Sequence, residues 1–279
     1  LALLVLVLIM GSGEGTRRWL SLGPLNLQPS EIAKLTTVLF LARYLSRKDG
    51  KINDWWNGLL PALAVVGSLS LLILLEPDLG TAAAVVMVAG IMLVVAGMAW
   101  RYIIGFGTLT AALAGTQIWM TGYQARRIVA FLNPWADELD VGFQTVQSLI
   151  AVGTGGITGA GLAEGKQKLS FLPEPHTDFI YAVIGEELGF VGSILVIAGF
   201  LMILWRGVRA TVMVPDKFGF YLGVGLTAGL FMQALLNMSV VVNLVPTTGI
   251  PLPLISHGGS SLVITCGAIG ILLNISQHS

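Results

Sequence analysis

Apolar stretches recur down the whole chain, and they restrict it to one kind of fold. They run roughly over 1–10, 31–46, 59–75, 80–99, 102–120, 179–205, 218–244 and 260–275, each bounded by charges or by Gly/Pro clusters. About 20 apolar residues in a helix cross a bilayer core, and most of these runs come near that length. The weakest is 31–46, because Glu31 and Lys34 stand in its first turn. Only 11% of the 279 residues are charged, against about 25% in a soluble domain. Thirty-five glycines, nearly double the usual share of about 7%, suit close-packed membrane helices. The expectation is an all-α polytopic membrane protein with about eight transmembrane helices, a single domain over 1–279, and one long loop at 121–178.

Net charge and cysteine usage exclude other classes. The formal charge is zero, which leaves no electrostatic footprint for nucleic acid. A lone Cys266 excludes an intramolecular disulfide and any cysteine-rich metal site. Leu1–Met10 has no basic leader and no small-residue cleavage site, so it does not read as a signal peptide. At half the length of a span, it is expected to be the end of a membrane helix that starts upstream.

Alternating the runs assigns loops 11–30, 76–79, 121–178 and 245–259 to one side of the membrane. The opposite side has only short loops and holds eight of the 15 basic residues, which assigns it to the cytoplasm. Acids divide very differently. Only Asp49, Asp54 and Asp216 fall on the cytoplasmic side, so the other twelve of 15 are outside. Acids contribute little to topology, and this accumulation on one face points to chemistry.

Four regions bear on that outer face: Gly15–Leu20 with Gln28–Glu31 and Lys34; Glu76-Pro77-Asp78-Leu79-Gly80; the long loop; and Pro246–Ser261. Arg17 and Arg18 beside Trp19 read either as an interfacial anchor or as an anion site. Glu31 and Lys34, at i and i+3, have the spacing to neutralise each other. Pro77 and Gly80 suit a helix end and make Glu76 and Asp78 cap or loop residues. In the long loop an amphipathic stretch is expected over Val141–Val152. The glycines at 153, 155, 156, 159, 161 and 165 are not a nucleotide-binding loop, because no strand precedes them and the phosphate-loop positions are filled by Ala160 and Gln167. They are expected to form a flexible loop. His176 has no second histidine at ligand spacing.

Asp178 stands where the chain enters an apolar run beside Phe179 and Ile180, a place for a general base. On a continuous helix, Glu186 would lie about 12 Å deeper and about 80° round. Adjacent carboxylates inside a span are costly and functional by default. Glu187 is expected to be a structural ion-pair member. Acids with arginines at an outer membrane surface suit a lipid-diphosphate sugar donor, the basic groups holding the pyrophosphate and a carboxylate deprotonating the attacking hydroxyl.

Taken together, Gly15–Leu20, Gln28–Lys34, Glu76–Gly80, Leu172–Phe179 with Glu186–Gly189, and Pro251–Ser261 resemble the SEDS proteins (shape, elongation, division, sporulation) of bacterial cell walls. The resemblance is collinear over essentially the whole chain. It implies a ten-span fold, of which this chain would hold the third to tenth spans, in the bacterial cytoplasmic membrane. It implies polymerisation of lipid II into glycan strands outside that membrane, beside a class B penicillin-binding protein and other division or elongation membrane proteins. Asn133-Pro134-Trp135, Gln167-Lys168 and Pro246–Gly249 are similar to the division members. Gln28–Glu31 is shared with the elongation members, Phe171 leans toward them, and the sporulation members are nearly indistinguishable. His257 departs from the usual Tyr or Phe.

By this resemblance Asp178 is the essential acid, acting either as general base or as ligand for a divalent cation, Mg or Mn, near the pyrophosphate; no other cofactor is implied. Arg17, Arg18, Lys34 and Lys168 are candidates for the diphosphate. Glu31, Glu76, Glu174, Glu186, His176 and Ser260 are weaker substrate-site candidates. The alternatives are a lipid II flippase, which the same spans and intramembrane acids would serve, an elongation-type polymerase, and a divisome scaffold that leaves Glu186 and Glu187 unexplained.

Overall fold

The computed structural model describes residues 1–11, 18–22, 25–48, 50–120, 122–137, 140, 142–167, 172–173 and 175–277. In chain order it forms α1 (Ala2–Met10), a short antiparallel hairpin of β1 (Leu20–Leu22) and β2 (Leu25–Leu27), α2 (Pro29–Arg47), α3 (Leu60–Leu75), α4 (Leu79–Val95), α5 (Trp100–Met120), α6 (Gly122–Leu132), α7 (Phe143–Thr154), α8 (Ile180–Met213), α9 (Lys217–Val241) and α10 (Gly259–Gln277). A wide turn, Trp55–Leu59, leads into α3, and a tight one, Pro134–Asp137, follows α6.

A helix stands at each of the eight expected positions. Among the described residues, four helical stretches are long and apolar enough to cross a membrane: Trp55–Leu75, Ile180–Met213, Lys217–Val241 and Gly259–Gln277. Leu79–Val95 is apolar but shorter. Boundaries moved where charge had been taken for the end of a helix. α8 continues through Arg206 and Arg209 to Met213, because arginine is a good helix former and marks the limit of apolar surroundings rather than of the backbone ladder. α9 stops at Val241, and Asn243 takes a left-handed φ of 54° just beyond.

Local chemistry explains the helix starts. Pro29 occupies the first turn of α2 with Glu31, and Arg47 closes its last turn, the order the helix dipole favours. Asp78 caps α4, its carboxylate accepting the Thr81 N–H at 3.0 Å and the Thr81 hydroxyl at 2.8 Å.

The chain falls into two compact units. The first comprises Leu1–Gly107, Ile203–Met232 and Gly258–Ser279. Its core includes Leu41, Leu45, Leu59, Ile73, Met92 and Leu93, all essentially without solvent exposure. α9 enters this core through Gly225, where a Cβ would lie 2.5 Å from Val38 and 2.7 Å from the Met92 sulfur. Gly207 meets Thr227 just as tightly, the small-residue packing of membrane helices.

The second unit comprises Thr108–Met202 and Gln233–His257. It contains α6, α7, the first part of α8, the last part of α9 and the irregular segment after it. The amphipathic stretch expected at Val141–Val152 is α7, Phe143–Thr154. α7 buries Thr145, Val146, Ser148 and Ala151, and the Ser148 hydroxyl donates to the Val241 carbonyl at 2.6 Å.

The expectation of a flexible glycine loop is overturned here. The Ala160 and Gly161 N–H groups donate to the Glu186 and Glu187 carbonyls at 2.9 and 3.1 Å. The Phe190 and Val191 N–H groups donate in return to the Gly156 and Ile157 carbonyls at 2.9 and 3.2 Å. α8 breaks at this point, with Gly189 at φ 66°, and the loop supplies the partners that the helix ladder lacks. The glycines are there because the backbones meet: a Cβ at Gly155 would strike the Gly185 carbonyl, and one at Gly159 the Glu187 carbonyl.

Candidate active site

In the second unit, the segment before α8 holds Asp178. Leu172 and Phe179, 4% and 3% exposed, anchor its two ends in the interior, while His176 is exposed and Asp178 half-buried. α8 begins at Ile180 and its first ladder bond runs from Ala182 to the Phe179 carbonyl, 2.9 Å. Asp178 therefore precedes the helix, and the angle to Glu186 expected on a continuous helix has no meaning.

Three consecutive carbonyls in this segment are held from the other end of the unit. The His257 N–H donates to the His176 carbonyl at 2.8 Å. The Ser256 hydroxyl donates to the Thr177 carbonyl at 2.5 Å and accepts the Leu252 N–H at 2.7 Å. The Asn237 amide donates to the Asp178 carbonyl at 2.7 Å and to the Ile250 carbonyl at 2.8 Å. Gly249, at φ +72°, passes close enough that a Cβ there would stand 3.5 Å from the Asp178 carboxylate. Two residues earlier, the Thr247 carbonyl accepts from the Arg127 guanidinium at 2.9 Å.

Glu186, 4% exposed, faces the glycine loop. Its carboxylate accepts the Lys166 N–H at 2.8 Å and the Gln167 N–H at 3.2 Å. Glu187 accepts the Ala163 N–H at 3.1 Å.

The first unit holds a separate group at the start of α2 and the α3–α4 turn. Lys34 lies 2.8 Å from the Glu31 carboxylate, whose side chain is 3% exposed. Arg18 donates to two backbone carbonyls, Glu76 at 3.2 Å and Pro77. The Gln28 amide reaches Asp78 at 3.5 Å, which sets the starts of α2 and α4 side by side. Glu76 lies just past the end of the span Trp55–Leu75 and is fully buried. Neither oxygen of its carboxyl has a hydrogen-bond partner among the described residues. Burial first, and Asp78 second, push its pKa up to about 8 against the opposing pull of Arg18. Ser260, at the start of α10, has a buried hydroxyl without a partner among the described residues.

Arg17, Lys168 and Glu174 lie outside the described residues. Among the described residues, no three His, Cys, Asp or Glu side chains come together as a metal-binding group. The described donors do not by themselves form a cation site. The sequence reading missed Asn237, which holds the Asp178 segment, and Gln233, which holds the strip after α9, along with Ser256 on the segment and Arg127 on the strip. A signal for the first two existed: Gln233 and Asn237 are an i, i+4 polar pair inside an apolar run, and polar groups in such runs mark a partner or a site.

Known proteins resemble this chain over essentially its whole length. The chain is 47% identical to the probable peptidoglycan glycosyltransferase FtsW of Geobacter metallireducens over 100% of its own length and 75% of that protein. It is 43% identical to the stage V sporulation protein E of Bacillus subtilis, over 99% of this chain and 76% of that one. Among solved structures, it matches a chain from a study of the structural coordination of polymerization and crosslinking by a peptidoglycan synthase complex. There the TM-score is 0.81 at 33% identity, covering 99% of this chain and 78% of the other. The rod shape determining protein RodA of Thermus thermophilus matches with a TM-score of 0.69 at 30% identity, over 99% and 74% of the two chains. A cell cycle protein family model fits residues 1–279 throughout, and the chain belongs to that FtsW, RodA and SpoVE family.

Proposed function

We propose that this protein is a peptidoglycan glycosyltransferase that polymerises lipid II on the outer face of the bacterial cytoplasmic membrane, in cell division, with a class B penicillin-binding protein as partner. The observation that carries the reading is Asp178, a half-buried carboxylate whose backbone is held at three successive carbonyls. Relatives named as peptidoglycan glycosyltransferases at 47% identity over the full chain support the reaction class. The chain would contribute eight spans of a ten-span fold.

In the reaction, the acceptor sugar hydroxyl gives its proton to Asp178 as its oxygen bonds to the anomeric carbon of the donor. The bond from that carbon to the diphosphate oxygen breaks, and undecaprenyl diphosphate leaves with the electron pair. The diphosphate calls for basic side chains, and the sequence offers Arg17, Arg18, Lys34 and Lys168 as candidates for that role.

The test is gel analysis of labelled lipid II with the full natural polypeptide and its transpeptidase partner. Asp178→Asn keeps the size of the side chain and removes its basicity, and loss of a general base costs about 10²–10⁴-fold. Polymer is expected to fall to background while expression and partner binding persist. The break of α8 at Gly189 favours a second reading, because discontinuous helices mark transport folds. If Asp178→Asn polymerises normally yet abolishes lipid II translocation in vesicles, the transporter stands and the enzyme falls.

A further inference from the structure

We infer that Asn237 on α9 is a positioning residue for the Asp178 carboxylate, and that it acts by tying the segment before α8 to the irregular segment after α9. The Asp178 carbonyl lies outside the α8 ladder, which opens at the Phe179 carbonyl. A buried carbonyl needs a partner, and near hydrocarbon there is little water to supply one. Asn237 is 1% exposed and stands 59 residues along the chain. Its amide donates both protons, one to Asp178 and one to Ile250, at 2.7 and 2.8 Å.

One side chain thus fixes the distance between the acid and the strip that carries Gly249, which runs beside the carboxylate. One turn earlier, Gln233 donates to the next carbonyl, Pro251, at 2.9 Å. Gln233 grips the same strip with the same chemistry, but its bond to that strip does not involve Asp178. It is the natural control for a merely structural role.

A base must stand within about 2.6–3.2 Å of the proton it takes, and a misplacement of about 1 Å costs about 10²-fold. Asn237→Leu removes both donors while keeping the branch at Cγ. With the full natural polypeptide and its transpeptidase partner, it is expected to lower kcat for lipid II polymerisation about 100-fold and to leave KM within about twofold. Gln233→Leu, which removes a bond to the same strip from the same helix, is expected to keep kcat within about threefold of the parent, since the bond it gives to Pro251 does not hold Asp178.

Folding is read separately by thermal melting. A folded Asn237→Leu with parental kcat overturns the proposal. So does a loss that Gln233→Leu matches, or one that follows the folded fraction alone. If Asn237→Leu does not fold, Ser256→Ala decides. It removes the donor to the neighbouring Thr177 carbonyl and is expected to lower kcat about tenfold at constant KM; unchanged kcat overturns the proposal. The inference rests on Asp178 acting as the base. An active Asp178→Asn sinks that reading itself, whereas an inactive Asp178→Asn beside a fully active Asn237→Leu sinks only the positioning role.

Discussion

Glu76 and Glu186 are equally deep, at 0% and 4% exposure, yet they stand in opposite situations. Glu186 sits against a glycine loop whose backbone N–H groups point at it, and its oxygens accept from Lys166 and Gln167. Glu76 closes the α3–α4 turn, where its backbone carbonyl takes the arginine that its carboxyl lacks, and neither carboxyl oxygen has a described partner. Burial therefore does not tell what a carboxyl does. The geometry of nearby backbone does, because donors fixed by a fold satisfy an acid whereas bare burial favours its neutral form.

The contrast breaks most severely at the glycines. Gly159→Ala adds a Cβ against the Glu187 carbonyl at a residue with φ +84°. Left-handed strain and overpacking together cost about 3 kcal/mol or more. Loss of folded protein is expected, measured by melting and by yield in detergent; a parental melting temperature would mean that the loop is pliable after all.

Glu186→Gln tests the satisfied acid. It places an N–H₂ group before backbone donors, which costs about 1–3 kcal/mol, and a lower melting temperature is expected at neutral pH. Glu76→Gln, equally buried, is expected to lose no stability there, since it removes a group that burial holds in its neutral form. Equal destabilisation by the two substitutions would erase the distinction.

The smallest effect is a slope. Glu76 has its pKa raised from 4.5 to about 8 in the folded protein. Between those values the folded state keeps a proton that the unfolded chain has released. Stability from this group is therefore fully present below about pH 4.5 and declines as pH rises through 8. Melting temperatures from pH 5 to 9 should fall more steeply in the parent than in Glu76→Gln. Parallel profiles would show that Glu76 does not carry the proton.

Local chemistry was legible along much of the chain. The Asp78 cap, the Glu31–Lys34 pair and the amphipathic α7 all follow from neighbours within four residues or from a single periodicity. Asp178 was legible as a candidate from its place before an apolar run. What surrounds it was not, because the groups that hold it come from positions 237, 256 and 257. The glycine run misled for the same reason. Glycine permits both a loose loop and a close approach of backbones, and only the opposing chain says which.

The sequence by itself determined where eight of the helices form, four stretches of which are, among the described residues, long and apolar enough to cross a membrane, since apolar run length and helix propensity are properties of contiguous residues. Tertiary structure alone decided which buried acids are satisfied, that α8 breaks at Gly189 against Gly156–Gly161, and that one asparagine joins Asp178 to Ile250. Those outcomes depend on donors and acceptors meeting across tens of residues, and a one-dimensional pattern carries no record of which distant carbonyl a given amide will face.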